Sequence, residues 1–220
     1  NMVAHNLRTP LNRTLHHVQA AMDAPEALRQ AQLELAQEEL QQLSRLFAKM
    51  LLLAEVESGV GQQRFERINL HTVLQEVLEF YEPLFEDRQT QLHTDLQREA
   101  WIMGDSHLLA NALSNVRDNF LKYGAGDSTL QLDIALKAHG GLVTLQLRDH
   151  GHGVPAEALA RIGQHFYRAS SHQQLPGHGI GLASVRAIAR LHRGKISWRN
   201  ATPGLETVLE LPRAPRIDNI

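Results

Sequence analysis

The 220-residue chain contains no cysteine. Disulfide bonds, zinc sites built from thiolates and catalysis by a thiol are therefore excluded, and the composition is compatible with a reducing compartment. The formal net charge at pH 7 is only −2, which provides no broad attraction to nucleic acid or to anionic lipid. We therefore expect no nucleic-acid partner.

Long hydrophobic runs are also missing. No stretch approaches the roughly 20 apolar residues that cross a bilayer, and no signal peptide is visible. Any contact with a membrane is expected only through segments that this sequence does not include. Hydrophobic residues nevertheless make up 43 % of the chain, which is sufficient for a packed core in one large or two small domains. Because the first residues already belong to a motif, we expect the chain to be part of a longer protein.

Histidine is abundant, with 13 copies, but the spacing of these residues does not indicate a metal centre. No His-Glu-x-x-His motif occurs, and no histidine pair has a third ligand at a suitable distance in the sequence. A dedicated zinc site is therefore not expected.

Two long helices are predicted at the N-terminus, over residues 1–22 and about 25–58, joined by a turn. Pro10 is expected to bend or loosen the first helix. Each helix has one apolar stripe, and two helices cannot form a full core alone. The economical arrangement is therefore a four-helix bundle of two copies, and the alternative is packing on the rest of the same chain. The stripe of the first helix consists of Leu7, Leu11, Leu15, Val18 and Met22.

The region after the hairpin has a different pattern. From Gly59 to Ile68 the sequence becomes more polar and contains glycines, which predicts a linker at 61–68. Helices are then predicted at 69–88, 106–123, 156–162 and 183–192, and strands at 91–96, 101–104, 130–136, 142–148, 195–200 and 206–211. A mobile loop is expected at 164–176. Strands mixed with helices, many of them antiparallel, indicate an α+β fold for the whole chain, with an α/β sandwich over 69–214.

Asn115 and Asn119 lie four residues apart on the predicted helix 106–123, so they share a face. An amide oxygen is a hard ligand that suits Mg²⁺, and Lys122 adds a mobile positive charge for a phosphate. Taken alone, this pattern is more typical of a solvated polar helix face.

Asp149 ends a predicted strand and is followed by Gly151 and Gly153. Its carboxylate can accept a hydrogen bond from an adenine amino group, while the glycines allow the backbone to approach the base closely. Taken alone, the motif is weak, because a plain turn has the same sequence.

Gly177, Gly179 and Gly181 precede Leu182 at the start of a predicted helix. Amide groups at the positive end of a helix are a suitable seat for phosphates. The segment is neither a Walker loop nor a Rossmann fingerprint. Arg168, in the preceding loop, can reach a terminal phosphate, although an isolated arginine is more often solvated.

The order of the motifs resembles the catalytic core of sensor histidine kinases of two-component systems, over nearly the whole chain. His-Asn-Leu-Arg-Thr-Pro-Leu at 5–11 comes first, followed by the asparagine helix, Asp-x-Gly-x-Gly, Phe-x-Arg and Gly-x-Gly-x-Gly-Leu. The resemblance implies a dimerisation and histidine-phosphotransfer domain at 1–60 and a linker at 61–68. An ATP-binding domain of the gyrase, chaperone, histidine-kinase and MutL superfamily is implied at 69–214.

By this resemblance His5 is the phosphoacceptor, and ATP and Mg²⁺ are the cofactors. Asn119 is implied to hold Mg²⁺, Asn115 and Lys122 to help hold the phosphates, and Tyr123 to line the nucleotide site. The chemistry is consistent, because a neutral imidazole can attack a γ-phosphate whose charge is neutralised by a metal and basic groups.

The resemblance also implies that Asp149 recognises adenine. Further residues would shape the pocket and its lid: Gly151, Gly153, Gly177, Gly179, Gly181 and Leu182. The implied partners are a second copy of the chain and the receiver domain of a response regulator. The implied location is the cytoplasmic portion of an inner-membrane sensor.

Asn6 departs from the family pattern, in which the residue after the phosphoacceptor is usually acidic. An amide can hydrogen-bond the imidazole but cannot take its proton, and general-base help is worth about 10²–10⁴-fold in rate. Thr9 is implied to position water for dephosphorylation of the partner regulator. Three alternatives to an active kinase therefore stay open: a phosphatase-dominant regulator, a nucleotide-binding module that signals by shape, and, more weakly, an ATP-driven clamp.

Overall fold

A computed structural model describes residues 2–59, 62, 64–124, 130–169 and 177–215, with side chains from residue 7 onward. The chain divides into two compact units, residues 1–54 and 55–220. Among the described residues, no helix is both long enough and apolar enough to cross a membrane.

The first unit is a helical hairpin. Helix α1 comprises Met2–Asp23 and continues through Pro10, and helix α2 comprises Glu26–Ser58, whose last turn belongs to the second unit. Proline lacks the amide hydrogen that would bond to the carbonyl four residues earlier, so the backbone carbonyl of Asn6 loses its helical partner. Few apolar side chains of this unit are buried: among the described side chains of residues 7–54, the buried aliphatic ones are Ala21, Ala36, Leu46 and Leu53.

The second unit is an α/β sandwich. Its helices are α3 (Leu70–Asp87), α4 (Ser106–Tyr123), α5 (Ala156–Leu159) and α6 (Gly181–Leu191). Its strands are β1 (Glu66–Asn69), β2 (Gln91–Leu96), β3 (Trp101–Gly104), β4 (Gln131–His139), β5 (Leu142–Asp149), β6 (Lys195–Asn200) and β7 (Leu205–Pro212).

Five strands form one sheet in the order β2-β4-β5-β7-β6, and β1 pairs with β3 separately. Strand β2 runs parallel to β4, and the other neighbours in the large sheet are antiparallel. The alternating pattern of β4 and β5 buries one face of the sheet, which includes Leu136, Val143 and Leu145. Helices α4 and α6 pack against each other, and each buries an apolar stripe.

The fold class predicted from the sequence is confirmed, with local differences at several element boundaries. Strand β1, Glu66–Asn69, begins inside the segment predicted as a linker at 61–68, and β4 ends at His139 rather than at 136. Helix α5 ends at Leu159 rather than at 162, and α6 begins at Gly181, two residues earlier than predicted. Within the loop predicted at 164–176, residues 170–176 lie outside the described part of the chain.

Candidate active site

Helix α4 presents a ladder of three asparagines. Asn115 Nδ2 donates to the backbone oxygen of Asn111 at 3.0 Å and to Asn111 Oδ1 at 2.9 Å. Asn119 Nδ2 donates in the same way to the backbone oxygen of Asn115 at 2.9 Å. Because each amide nitrogen is tied to the preceding turn, the side-chain oxygens of Asn115 and Asn119 remain available as ligands. Sequence reasoning missed Asn111, although its spacing four residues before Asn115 was a usable signal.

The asparagine ladder meets the glycine-rich start of α6. Gly181 is so close to Asn115 that an added Cβ would lie 3.1 Å from Asn115 Oδ1. The residue before α6, Ile180, supplies no side-chain hydrogen bond to the helix end. That side chain therefore does not cap the first amide groups of α6. Amide groups without a side-chain cap are what a phosphate-binding helix end requires. The structure therefore brings together the residues predicted from two separate motifs.

Asp149 lies at the end of β5 and is held by the backbone. Its Oδ1 accepts hydrogen bonds from the amides of Gly151 and Leu205, both at 3.0 Å. Burial raises the pKa of the Asp149 carboxyl, although these two bonds and the charges of His150 and Arg148 act in the opposite direction. A carboxylate whose first oxygen is occupied in this way has its second oxygen available for a ligand.

The glycines after Asp149 permit close contacts with two neighbouring segments. A Cβ on Gly151 would lie 2.9 Å from the backbone oxygen of Tyr123, which places the Asp149 loop against the end of α4. Gly153 has φ of +70°, and an added Cβ would lie 2.8 Å from Asn200 Oδ1. Asn200 in turn accepts from the Val154 amide at 2.9 Å. These contacts join the Asp-x-Gly-x-Gly segment to the asparagine helix and to β6.

The other predicted pocket residues lie in the segment before α6, at the start of α6 and at the end of α4. Gly179 has φ of +69°, and an added Cβ would lie 2.6 Å from the backbone carbon of Phe166 and 2.8 Å from the Tyr167 oxygen. Gly177 has no atom within 4 Å of such a Cβ. Arg168 and Leu182 are half-buried, Tyr123 is half-buried and Lys122 is exposed. Their predicted contacts with a nucleotide stay predictions.

Gly204 packs closely against the backbone of Asp149, and we expect Gly204→Ala to be strongly destabilising. Its φ is +95°, and a Cβ would lie 1.7 Å from the backbone oxygen of Asp149. The combined steric and conformational penalty should lower the free energy of unfolding by about 3 kcal/mol or more, as measured by urea denaturation. Gly141→Ala is the matched control, because Gly141 has φ of +85° but nothing within 4 Å. Equal losses in the two variants would contradict the steric argument.

His192 is a buried residue that the sequence did not single out among the histidines. Its Nε2 accepts from the Asp105 amide at 3.1 Å, and its Nδ1 lies 2.8 Å from the Ile188 oxygen. Burial lowers the pKa of His192, so the neutral imidazole donates from Nδ1 and accepts at Nε2. Its ring stacks on Phe65 with centroids 4.4 Å apart. His192 thereby connects the residue before β1, the end of α6 and the N-cap of α4.

The remaining predicted catalytic residues belong to α1. The backbone of His5 and Asn6 is helical, whereas their side chains lie outside the described residues. Thr9 follows one turn later and is exposed. Helix α1 belongs to the first unit and the nucleotide motifs belong to the second.

Two family models match the chain. Residues 104–215 match the histidine kinase-, DNA gyrase B- and HSP90-like ATPases, and residues 1–59 match the His Kinase A phospho-acceptor domain. The chain therefore belongs to the sensor histidine kinases of two-component systems and corresponds to their catalytic core.

Two curated relatives illustrate the extent of the similarity. The chain is 31 % identical over 196 residues to the sensor protein IrlS of Burkholderia pseudomallei, which covers 87 % of this chain and 41 % of IrlS. It is 33 % identical over 208 residues to the sensor protein QseC of Escherichia coli, which covers 91 % of this chain and 44 % of QseC. The chain thus spans less than half the length of these relatives.

Two solved structures share the fold. The histidine kinase AdeS of Acinetobacter baumannii matches with a TM-score of 0.70 at 23 % identity, covering 96 % of this chain and 98 % of AdeS. The histidine kinase ThkA, solved in complex with the response regulator TrrA, also matches with a TM-score of 0.70, at 21 % identity. That match covers 97 % of this chain and 60 % of the other. At these identities the likeness concerns the fold alone.

Proposed function

We propose that this chain is the core of an ATP-dependent protein histidine kinase that phosphorylates His5 and transfers the phosphoryl group to an aspartate of a response regulator. The observation that carries the proposal is the approach of Gly181, at the start of α6, to the side-chain oxygen of Asn115. A ligand oxygen and a helix N-terminus are the two elements that a metal-bound triphosphate requires. The same chain carries His5 in its matched phospho-acceptor domain.

The asparagine ladder fits a magnesium ion. The amide nitrogens of Asn115 and Asn119 are occupied by the preceding helical turn, so their oxygens are directed away from it as hard ligands. We assign Asn119 to the metal and Asn115 with Lys122 to the phosphates. When bound, Mg²⁺ would neutralise negative charge on the triphosphate.

The proposed reaction forms a nitrogen–phosphorus bond at His5. The unprotonated nitrogen of the neutral imidazole attacks the γ-phosphorus in line, the bond to the bridging oxygen of ADP breaks, and the other ring nitrogen releases its proton to solvent water. Asn6 can hydrogen-bond the ring but cannot accept that proton. In the second step an aspartate oxygen of the regulator displaces the histidine from phosphorus.

A second copy of the chain is the proposed partner of the hairpin. Among the described side chains of α1 and α2, ten large apolar ones remain exposed in the single chain, with exposed fractions from 37 % to 76 %. Several follow one another at the spacing of a helix stripe or a heptad, and two such hairpins together can bury these stripes in a four-helix bundle. The ten residues are Leu11, Leu15, Val18, Met22, Leu28, Leu33, Leu35, Leu40, Phe47 and Leu51.

The response-regulator partner and the cellular location are also proposals. ThkA was solved with its regulator TrrA, and IrlS and QseC are named sensor proteins. By this similarity we propose that the chain is the cytoplasmic portion of an inner-membrane sensor and that it acts on a receiver domain.

His5→Gln should abolish autophosphorylation. Incubation with γ-labelled ATP and Mg²⁺ should give acid-labile label on the unchanged protein, and none on the variant, because the attacking nitrogen is lost. His16→Gln is the matched control, since His16 is an exposed histidine of the same helix and should retain the label. Label that persists in His5→Gln, or no label on any version despite measurable ATP binding, would refute the kinase assignment.

Asn6 favours a second candidate, in which the protein acts mainly as a phosphatase of its regulator. The loss of an acidic group affects proton removal during attack, whereas Thr9 stays in place to position water for dephosphorylation. The two candidates differ in what the unchanged protein does: a phosphatase-dominant protein removes label from a phosphorylated receiver domain while barely labelling itself.

A further inference from the structure

One cavity in the second unit takes no part in the proposed reaction. A cavity of about 580 Å³ is lined by α6, by the segment that follows α5 and by the last turn of α2, and all of these lining residues belong to the second unit. This volume lies in the range of small-molecule sites, about 300–1,000 Å³. The described residues assigned above to ATP or Mg²⁺ do not line it. A ligand here would therefore bind outside the proposed nucleotide site.

Two positively charged side chains, both arginines, line the cavity. Arg186 and Arg190 are four residues apart on α6 and share one face. Arg186 Nη2 donates to the backbone oxygen of Ile162 at 2.6 Å, and its guanidinium lies 5.0 Å from the centre of the Trp198 ring. These contacts hold the guanidinium in place without neutralising it, so the site is organised before any ligand binds.

Glycine at position 163 helps to fix this arrangement. Gly163 has φ of +74°, and an added Cβ would lie 3.1 Å from Arg186 Cζ and 2.7 Å from the Trp198 ring. The backbone therefore approaches the guanidinium as closely as only glycine permits. The Arg186 side chain is consequently enclosed between the Gly163 segment and Trp198.

Neither of the two arginines is paired with a carboxylate: among the described residues, Arg186 and Arg190 form no ion pair. Glu57 is the carboxylate among the described residues that line the cavity, and it lies 3.0 Å from His165 Nε2 instead of pairing with a guanidinium. The pKa of the Arg186 guanidinium is lowered by burial and by the charge of Arg190, so an anion between the two would relieve an existing repulsion.

We propose that this cavity binds a small phosphorylated metabolite, with its phosphate held by Arg186 and Arg190. Guanidinium groups present a planar fork of donors that matches phosphate oxygens, and two of them suit a doubly charged group. The amide side chains of Gln62 and Gln164 line other parts of the cavity. Gln62 Nε2 donates to the backbone oxygen of Leu191 at 3.1 Å, so Gln62 offers its side-chain oxygen to hydroxyl groups of the ligand, and Gln164 offers its amide. Binding of this kind does not depend on phosphorylation of His5.

The test is calorimetric titration of the full chain with inorganic phosphate and with glucose 6-phosphate. Excess non-hydrolysable ATP analogue and Mg²⁺ are present so that the nucleotide site is occupied. We expect saturable binding that Arg190→Gln weakens about tenfold, through loss of a charge-assisted hydrogen bond. Tighter binding of the ester than of inorganic phosphate would support a metabolite, whereas equal binding would overturn that part in favour of free phosphate.

Lys195→Gln is the matched control, since it removes the same charge from an exposed residue of β6 that does not line the cavity. Its affinity for both probes should stay within a factor of about two, as expected for a screened surface charge. Arg190 is itself exposed, and thermal denaturation confirms that each variant is folded. If Arg190→Gln fails to fold, Arg190→Lys provides the comparison, because it keeps the charge but loses the fork. No saturable binding in the millimolar range, or equal loss in the arginine variant and the lysine control, would overturn the proposal.

Discussion

Asn6→Glu should raise the rate of autophosphorylation about 10²–10⁴-fold, which is the usual contribution of a general base. The imidazole of His5 must lose a proton as its nitrogen bonds to phosphorus, and a neighbouring carboxylate can accept that proton while an amide cannot. The measurement is the initial rate of labelling with saturating ATP and Mg²⁺.

Asn6→Gln is the control for this substitution. Glutamine has the length of glutamate but cannot act as a base, so its labelling rate should stay close to that of the unchanged protein. An equal increase in both variants would show that side-chain length, rather than proton transfer, limits the rate. If neither variant is labelled faster although ATP binding is intact, the missing acid does not limit the reaction. That result would favour a signalling role without kinase activity.

The helical hairpin and most of the sheet could be predicted from periodicity, because their apolar residues recur at 3.6 or 2 residues. Strand β1 could not, since its residues Glu66–Asn69 are mostly polar and pair only with the short β3. The parallel pairing of β2 with β4 was equally hidden: an alternating pattern shows which side of a strand is buried, not which strand lies next to it.

The candidate site shows the same division. Three candidate residues could be identified from the sequence: Asn115, Asn119 and Asp149. Their residue types and spacing indicate ligand binding, and the order of the motifs along the chain resolves the alternative interpretations of each motif taken alone. The structural role of His192 could not be predicted from the sequence. Its hydrogen bonds to Asp105 and Ile188 and its contact with Phe65 form only when distant segments pack together. Likewise α6 begins at Gly181 although glycine is a poor helix former, since tertiary packing outweighs the local preference.

Asp149→Asn should weaken ATP binding by about 2–3 kcal/mol, roughly 30- to 150-fold, which is the cost of mispairing a charged hydrogen-bonding group. The asparagine oxygen can keep both backbone bonds, to Gly151 and Leu205, so the amide nitrogen must occupy the position of the second carboxylate oxygen. It would then present a donor to the adenine amino group, itself a donor. Isothermal titration with ATP and Mg²⁺ measures the loss.

Asp133→Asn is the matched control. Asp133 is a nearby carboxylate that bonds His150 at 2.7 Å and His93 at 3.1 Å, and we assign it no contact with the base. Its replacement should change ATP affinity far less than that of Asp149. Comparable losses would show that the general negative charge, rather than the hydrogen bond to adenine, supports binding.

The pH dependence follows from the raised pKa of Asp149. Because burial is the main cause, the carboxyl takes up its proton at a higher pH than an ordinary aspartate, and ATP affinity should fall as the pH decreases toward the raised pKa.

The raised pKa of Asp149 has the opposite effect on folding. A carboxyl whose pKa is higher in the folded state favours folding below its unfolded pKa, and this contribution is lost as the pH rises. Above that pH range the ionised, half-buried Asp149 therefore costs stability, so Asp149→Asn should bind ATP poorly without a lower melting temperature. A variant that lost both would indicate a structural role for Asp149 instead of recognition of the base.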